Sequence, residues 1–154
     1  PSEGKSTAAV TIGRNFSQIG KRVLLIDSDM RKPSMHKKLG IDNSAGLSNY
    51  LAGLMSIADV IRETELPGLH VITTGPLPPN PAELLHDDNM LRLLAYGLEH
   101  YDQIIIDGAV NGSGQGSEGA GQLLRKIQTG KVQQYASILF AGAVVLAGVL
   151  VFVV

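Results

Sequence analysis

A short segment near the start of the sequence combines the residue types that bind phosphate groups. Gly4, Lys5 and Ser6 lie in that order, directly before apolar residues at helical spacing. At the start of a helix, backbone N–H groups hold phosphate oxygens, a lysine ammonium bridges the outer phosphates, and a serine hydroxyl binds Mg²⁺. A Gly-Lys-Ser triplet alone is weak evidence, because it also occurs by chance at helix starts.

Carboxylates at the ends of two apolar runs supply the partners that such a site needs. Asp27 follows the run VLLI, Asp29 lies two residues beyond it, and Asp107 follows the run III. A carboxylate at the end of a strand beside a phosphate-binding loop holds the hydration shell of Mg²⁺, and another can accept a proton from an attacking hydroxyl. Together with the triplet, these residues predict a site for phosphoryl transfer.

The elements that must position these residues alternate along the chain. Unbroken apolar runs closed by a carboxylate or by glycine and proline are typical of parallel strands that are buried on both faces. Between them, apolar residues recur at helical spacing. The pattern predicts strands at residues 22–27, 70–74 and 103–107 and helices at 5–19, 34–39, 47–52, 57–63 and 81–100. This order is typical of an α/β protein with a parallel sheet and flanking helices.

Composition excludes several other classes of protein. The 154 residues contain no cysteine, which excludes disulfide frameworks, thiolate zinc sites and cysteine nucleophiles. The formal net charge of -1 gives no basic field of the kind that nucleic-acid binding requires, so we expect no nucleic-acid partner. The four histidines show no metal-ligand spacing.

The composition changes abruptly after Asp107. Residues 108–121 contain six glycines, so residues 108–122 form a predicted flexible linker. Residues 123–135 are polar and basic, and the 19 residues 136–154 contain one polar side chain, Ser137. At about 1.5 Å per residue they would extend roughly 28 Å as a helix, enough to cross a bilayer core of about 30 Å. We therefore predict one transmembrane helix at residues 136–154, in contact with the lipid bilayer.

The first 107 residues resemble the bacterial tyrosine kinases of capsule and exopolysaccharide synthesis. Residues 1–7, PSEGKST, are similar to the Walker A motif of that family, and residues 25–34, LIDSDMRKPS, to its Walker A′ motif. Three further stretches agree, at residues 46–51, 77–85 and 101–107. The resemblance implies a P-loop nucleoside-triphosphatase fold and an ATP- and Mg²⁺-dependent enzyme that phosphorylates tyrosines, chiefly on a neighbouring copy of itself.

Carried onto matching positions, the resemblance implies a role for each residue of the site. Lys5 would hold the β- and γ-phosphates of ATP, Asp27 and Asp29 would serve as Mg²⁺ ligand or general base, and Asp107 would complete the metal site with Ser6. The nucleotide-binding segment would consist of Glu3, Gly4, Lys5, Ser6 and Thr7. The family also implies control by a membrane adaptor of polysaccharide export.

The partition and division-site ATPases are the alternative, because they share this architecture and use ATP as a dimerisation switch. The Pro-x-Glu-Gly-Lys-Ser and Asp-x-Asp-x-Arg forms favour the kinases. Two features differ from that family. The strand expected before the P-loop is missing, and Gly108 and Ala109 stand after Asp107 where the family has Thr and Pro. We therefore expect a truncated kinase domain at residues 1–107, with little or no turnover by itself.

Residues 106–154 resemble a different protein, the C-terminus of subunit L of proton-pumping NADH-quinone oxidoreductase. The stretch 124–130, LRKIQTG, and the apolar run after it carry this similarity. The resemblance implies a structural membrane segment without catalytic residues, and the two similarities together imply a chimera with its junction at Ile106 and Asp107. Since basic residues precede the apolar run, we expect location in the bacterial inner membrane with the N-terminal part cytoplasmic.

Overall fold

The computed structural model describes residues 2–85, 87–108, 142–146 and 149–153. Helices and strands alternate along the first of these ranges, as the hydrophobic pattern predicts. In chain order the elements are α1 (Ser2–Gln18), β1 (Val23–Asp27), α2 (Met35–Leu39), α3 (Leu47–Leu51), α4 (Ile57–Val60), β2 (Arg62–Glu63), β3 (Leu69–Ile72), α5 (Pro81–Leu85), α6 (Asp88–His100), β4 (Gln103–Asp107), β5 (Gly142–Leu146) and β6 (Val149–Val153).

A six-stranded sheet with the order β2-β3-β1-β4-β6-β5 forms the centre of the fold. Strand β1 pairs in parallel with β3 on one side and with β4 on the other. The three predicted parallel strands are therefore confirmed. The outer strands are antiparallel, since β2 pairs with β3 and β6 pairs with β4 in this orientation.

Helices cover both faces of the parallel strands, which explains their continuous apolar character. Leu24 and Ile26 of β1 belong to one buried cluster, together with apolar residues of α3 and α6. Val23 and Leu25 belong to the other, together with residues of α1 and α2. Alternate residues of a strand point to opposite faces, so each residue of β1 is buried. This packing gives the site a rigid base.

Two predicted helices end differently in the structure. The helix predicted at residues 57–63 ends at Val60, and Arg62 continues as edge strand β2 beside β3. The helix predicted at residues 81–100 is divided into α5 and α6, because the Asp87 side chain accepts a hydrogen bond from the N–H of Asn89 and caps a new helix. Both changes shorten helices without moving the parallel strands.

The transmembrane helix predicted at residues 136–154 is wrong for the described part of this segment. Residues 142–146 and 149–153 form β5 and β6, which pair antiparallel with each other. Strand β6 also pairs antiparallel with β4. Valine is frequent in both strands and favours extended structure, and the edge of β4 offers backbone hydrogen bonds to a further strand. Most of the predicted linker and all of residues 123–135 lie outside the described residues.

Across the described ranges, no helix combines the length and the hydrophobicity that crossing a membrane requires.

Candidate functional site

Two predicted site carboxylates are neighbours at one edge of the sheet. Asp27 ends β1 and Asp107 ends β4, and the two residues are partners in the parallel register. The carboxyl ends of parallel strands meet at one edge of a sheet, where α/β proteins bind ligands. Both residues are buried, at 0% and 2% exposure. The structure therefore places two acidic side chains together in a position that water hardly reaches.

Ser6 joins these carboxylates from the first helix. Its hydroxyl donates a hydrogen bond of 2.6 Å to Oδ2 of Asp107, although 101 residues separate the two in sequence. Ser6 is also buried, and Ala9 and Val10, one turn further along α1, pack against the sheet. The apolar face of α1 thus fixes the serine of the predicted phosphate-binding segment beside the aspartate of β4.

The environment of Asp27 raises the pKa of its carboxyl group into the neutral range. Burial raises the pKa of Asp27 from 3.8 to about 7, and the nearby charges of Asp107 and Asp29 act in the same direction. Two backbone N–H groups oppose this rise: that of Asp29 donates to Oδ1 at 3.1 Å and that of Met35 to Oδ2 at 3.3 Å. Asp27 therefore changes charge in the pH range where enzymes operate.

Asp29 lies next to this pair but has a different environment. Its Oδ1 accepts hydrogen bonds from the N–H groups of Arg31 and Lys32, at 3.3 and 3.2 Å, and the residue is only half-buried. Gly108 lies close to Asp29 and has a φ of +85°. A Cβ atom on residue 108 would lie 2.8 Å from the backbone nitrogen of Asp29. Only glycine fits this approach without strain.

Three residues without a predicted role also contribute to the site. Ser28 binds the carbonyl of Asp107 twice, through its N–H at 2.9 Å and its hydroxyl at 2.7 Å, and so extends the pairing of β1 and β4. Ser34 donates to the hydroxyl of Ser6 at 2.7 Å. Gly108 is the third. Ser28 and Ser34 lie within the stretch similar to the Walker A′ motif, and Gly108 directly follows a strand-ending aspartate, but these signals do not predict the contacts.

The remaining predicted binding residues lie at the beginning of α1. Glu3, Gly4 and Lys5 are helical, because α1 begins at Ser2, three residues earlier than predicted, and their side chains lie outside the described part of the structure. Glutamate and lysine favour helix at these positions. Thr7 is exposed, and its carbonyl accepts a hydrogen bond from Thr11. The structure thus brings together Ser6, Asp27 and Asp107, with Asp29 beside them.

The donor set fits Mg²⁺ bound together with a phosphate. A hydroxyl and two carboxylates provide the oxygen ligands that this ion prefers, and the cation would offset the cost of burying both charges. In the described ranges, acidic, histidine and cysteine side chains form no group of three or more that could hold a metal by themselves. Mg²⁺ usually binds to one or two carboxylates plus phosphate oxygens, so this smaller set is sufficient.

The chain is similar in sequence to bacterial tyrosine kinases. It is 42% identical over 107 residues to the tyrosine-protein kinase YwqD of Bacillus subtilis (strain 168). That similarity covers 70% of the chain and 45% of the relative, so the chain spans about half the length of this kinase.

Solved structures agree with this similarity. The kinase domain of the Escherichia coli tyrosine kinase ETK matches with a TM-score of 0.61 and 41% identity, over 63% of the chain and 38% of that domain. The cell division ATPase MinD of Pyrococcus furiosus matches with a TM-score of 0.64 and 21% identity, over 78% of the chain and 50% of its own, which shows a shared fold. The model of one family, described as the CobQ/CobB/MinD/ParA nucleotide binding domain, matches residues 2–147, and the chain belongs to this family.

Proposed function

We propose that the chain is part of a bacterial protein-tyrosine kinase of the capsule and exopolysaccharide type. In this proposal it transfers the γ-phosphoryl group of ATP to a tyrosine hydroxyl with the help of Mg²⁺. The observation that carries the proposal is the buried group of Ser6, Asp27 and Asp107, which joins the two motifs of the sequence at one edge of the sheet. Kinase relatives that are about 40% identical over the same region support it.

The transfer needs little covalent chemistry from the protein. A bond forms between the tyrosine oxygen and the γ-phosphorus, the bond from that phosphorus to the bridging oxygen of ADP breaks, and the tyrosine proton leaves. Position and charge therefore supply most of the catalysis. Lys5 would hold the β- and γ-phosphates at the start of α1, and Ser6 and Asp107 would hold Mg²⁺, which neutralises charge on the phosphates.

The burial of the two Walker A′ aspartates suggests how they divide the work. Asp27 is fully buried and both of its oxygens accept backbone N–H groups, so it acts on the metal side with Asp107. Asp29 is half-buried, and the N–H groups of Arg31 and Lys32 both bind its Oδ1, so its Oδ2 would be the oxygen that meets an incoming tyrosine. We assign to Asp29 the role of the base that accepts the tyrosine proton.

Nucleotide binding tests the first part of the proposal. A fluorescent ATP analogue should bind the chain when Mg²⁺ is present, and Lys5→Ala should weaken binding roughly 10- to 100-fold, because a charged hydrogen bond contributes about 1.5–3 kcal/mol. Lys21→Ala is the matched control. Lys21 is exposed and precedes the first residue of β1, at the end of the strand opposite to Asp27, so its replacement should leave binding unchanged. Equal affinities of all three proteins would refute nucleotide binding at this site.

Phosphotransfer tests the second part. Because the chain spans about half the length of the kinase YwqD, we expect only weak transfer from radiolabelled ATP to a tyrosine-containing polymer. Asp29→Asn should retain Mg²⁺-dependent nucleotide binding and abolish this weak transfer, while Asp27→Asn should lose the Mg²⁺ dependence of binding. If Asp29→Asn transfers phosphate as well as the unmodified chain does, Asp29 is not the base.

The proposal includes partners and a location. By family resemblance, the kinase would associate with further copies of itself and with a membrane adaptor of polysaccharide export, at the bacterial inner membrane. Phosphotyrosine on one tagged copy after incubation with another would support transfer between copies.

Two further interpretations have to be separated from the kinase proposal. A partition-type ATPase switch would form nucleotide-dependent dimers without phosphotyrosine, and the similarity to MinD, at 21% identity, extends to the fold alone. The resemblance of residues 106–154 to subunit L of NADH-quinone oxidoreductase stays a prediction, and so does the chimera. Single sequencing reads that cross codons 106 and 107 would show whether the two parts belong to one gene.

A further inference from the structure

The hydroxyl of Ser34 is directed toward the candidate site and away from the helix that it precedes. Ser34 occupies the N-cap position of α2, yet its side chain accepts no hydrogen bond from that helix. Serine is favoured at N-caps because its oxygen accepts a backbone N–H, so a serine that does not cap is unusual there. Here Ser34 instead donates its proton to the hydroxyl oxygen of Ser6, at 2.7 Å.

At the start of α2, backbone N–H groups bind acceptors other than the side chain of Ser34. The first N–H of the helix, that of Met35, donates to Oδ2 of Asp27. The carbonyl of Ser34 accepts from the N–H groups of Lys37 and Lys38, at 3.1 Å each. The α2 helix thus begins without a hydrogen bond to the Ser34 side chain, which contacts Ser6 instead.

Counting the bonds of Ser6 shows what this contact does. A hydroxyl has one proton and two lone pairs. The proton of Ser6 is donated to Asp107 and one lone pair accepts from Ser34, which leaves one lone pair with a fixed direction. A metal ion needs one lone pair of Ser6, so both hydrogen bonds can persist when it binds. Without Ser34, one hydrogen bond, that to Asp107, would hold the Ser6 side chain in this rotamer, and rotation about its Cα–Cβ bond would have to break only that bond.

We propose that Ser34 is a positioning residue for the metal site: its hydroxyl orients Ser6 so that the free lone pair of Ser6 is presented to Mg²⁺. This inference rests on the proposed nucleotide-binding function, and it adds a residue that acts through Ser6. Since α2 contributes Met35 to the buried cluster beneath the site, the position of Ser34 is fixed by packing.

The test is a Mg²⁺ titration of the binding of a fluorescent ATP analogue to the whole chain. Ser34→Ala should raise the half-saturating Mg²⁺ concentration about fivefold, the factor that corresponds to one hydrogen bond of about 1 kcal/mol. The affinity for the analogue in excess EDTA should not change, because Ser34 acts only on the metal ligand. Ser34→Thr keeps a hydroxyl and should restore the Mg²⁺ dependence to within about twofold.

Ser56→Ala is the matched control, because Ser56 is an N-cap serine whose side chain does accept a helix N–H, that of Asp59. It should lower the thermal midpoint of unfolding and leave the Mg²⁺ titration unchanged. Three results would overturn the role of Ser34: an unchanged titration in Ser34→Ala, an equal loss of affinity in EDTA, or failure of Ser34→Thr to restore the dependence. If the unmodified chain binds no nucleotide, the proposed function fails and this inference fails with it.

Discussion

Replacing Asp27 by asparagine should change how the stability of the protein depends on pH. The pKa of Asp27 is about 7 in the folded chain and near 3.8 in the unfolded chain, chiefly because of burial. A raised pKa favours the protonated form in the fold. The stabilisation that this proton provides is complete below pH 4 and is lost as the pH rises through 7. Asparagine does not titrate, so the variant lacks this dependence.

The size of the effect follows from the shift in pKa. Each unit is worth about 1.36 kcal/mol, so the whole change amounts to about 4 kcal/mol, of which roughly 2–3 kcal/mol falls between pH 5 and pH 8. The hydrogen bonds that asparagine cannot make, since it has one acceptor oxygen, add a constant offset that does not vary with pH. The difference in unfolding free energy between the two proteins therefore isolates the titration.

Denaturant unfolding at intervals from pH 5 to pH 8 measures this difference. The unmodified chain should lose stability relative to Asp27→Asn across the whole range, and the four histidines cancel because both proteins contain them. Asp102→Asn is the control: a hydrogen bond from the N–H of Arg22 lowers the pKa of Asp102, so its difference curve should be flat above pH 5. Parallel curves for the unmodified chain and Asp27→Asn would refute the reasoning, because they would mean that Asp27 is ionised in the fold throughout.

Two further predictions follow from the same site. Mg²⁺-dependent nucleotide binding should strengthen from pH 6 to pH 8, by up to about tenfold per unit below pH 7, because the proton on Asp27 must leave before a cation binds beside it. Calorimetry in buffers of different ionisation enthalpy would detect that proton, and equal affinity at both pH values would contradict the prediction. Gly108→Ala should cost about 1–3 kcal/mol more than Gly20→Ala in denaturant unfolding, because both glycines have φ +85° but only Gly108 has the backbone of Asp29 within 3 Å. Equal costs would mean that the contact with Asp29 relaxes freely.

The parallel part of the fold was predictable because its signal is strong and local. The runs before Asp27 and Asp107 are too uniformly apolar to belong to anything but buried structure, and a carboxylate at the end of each marks the edge of the sheet. The same uniformity made residues 136–154 ambiguous. A run that is apolar at every position has neither the period of a helix nor that of a strand, so length alone decided for a helix, and the structure shows strands in its described part.

The candidate site was predictable only in the residues that its motifs single out, which are Ser6 and the three aspartates. Gly-Lys-Ser and Asp-x-Asp are visible as motifs, but their separation in space is not. Ser28 and Ser34 lie within the stretch 25–34, but their roles arise from contacts with Asp107 and Ser6, which lie 79 and 28 positions away in the sequence. Likewise, the pKa of Asp27 depends on burial by helices from other parts of the chain.

The hydrogen bond between Ser6 and Asp107 also has a consequence for when the candidate site forms during folding. It joins residues 101 positions apart, and the strand that carries Asp107 must pair with β1 before the two can meet. Closing so long a loop is slow, because the entropy of the intervening chain is lost before the contact forms. During synthesis, Ser6 also leaves the ribosome long before Asp107, because it lies 101 positions earlier in the sequence. The site should be among the last parts of the parallel sheet to form, and partly folded chains should be unable to bind Mg²⁺ there.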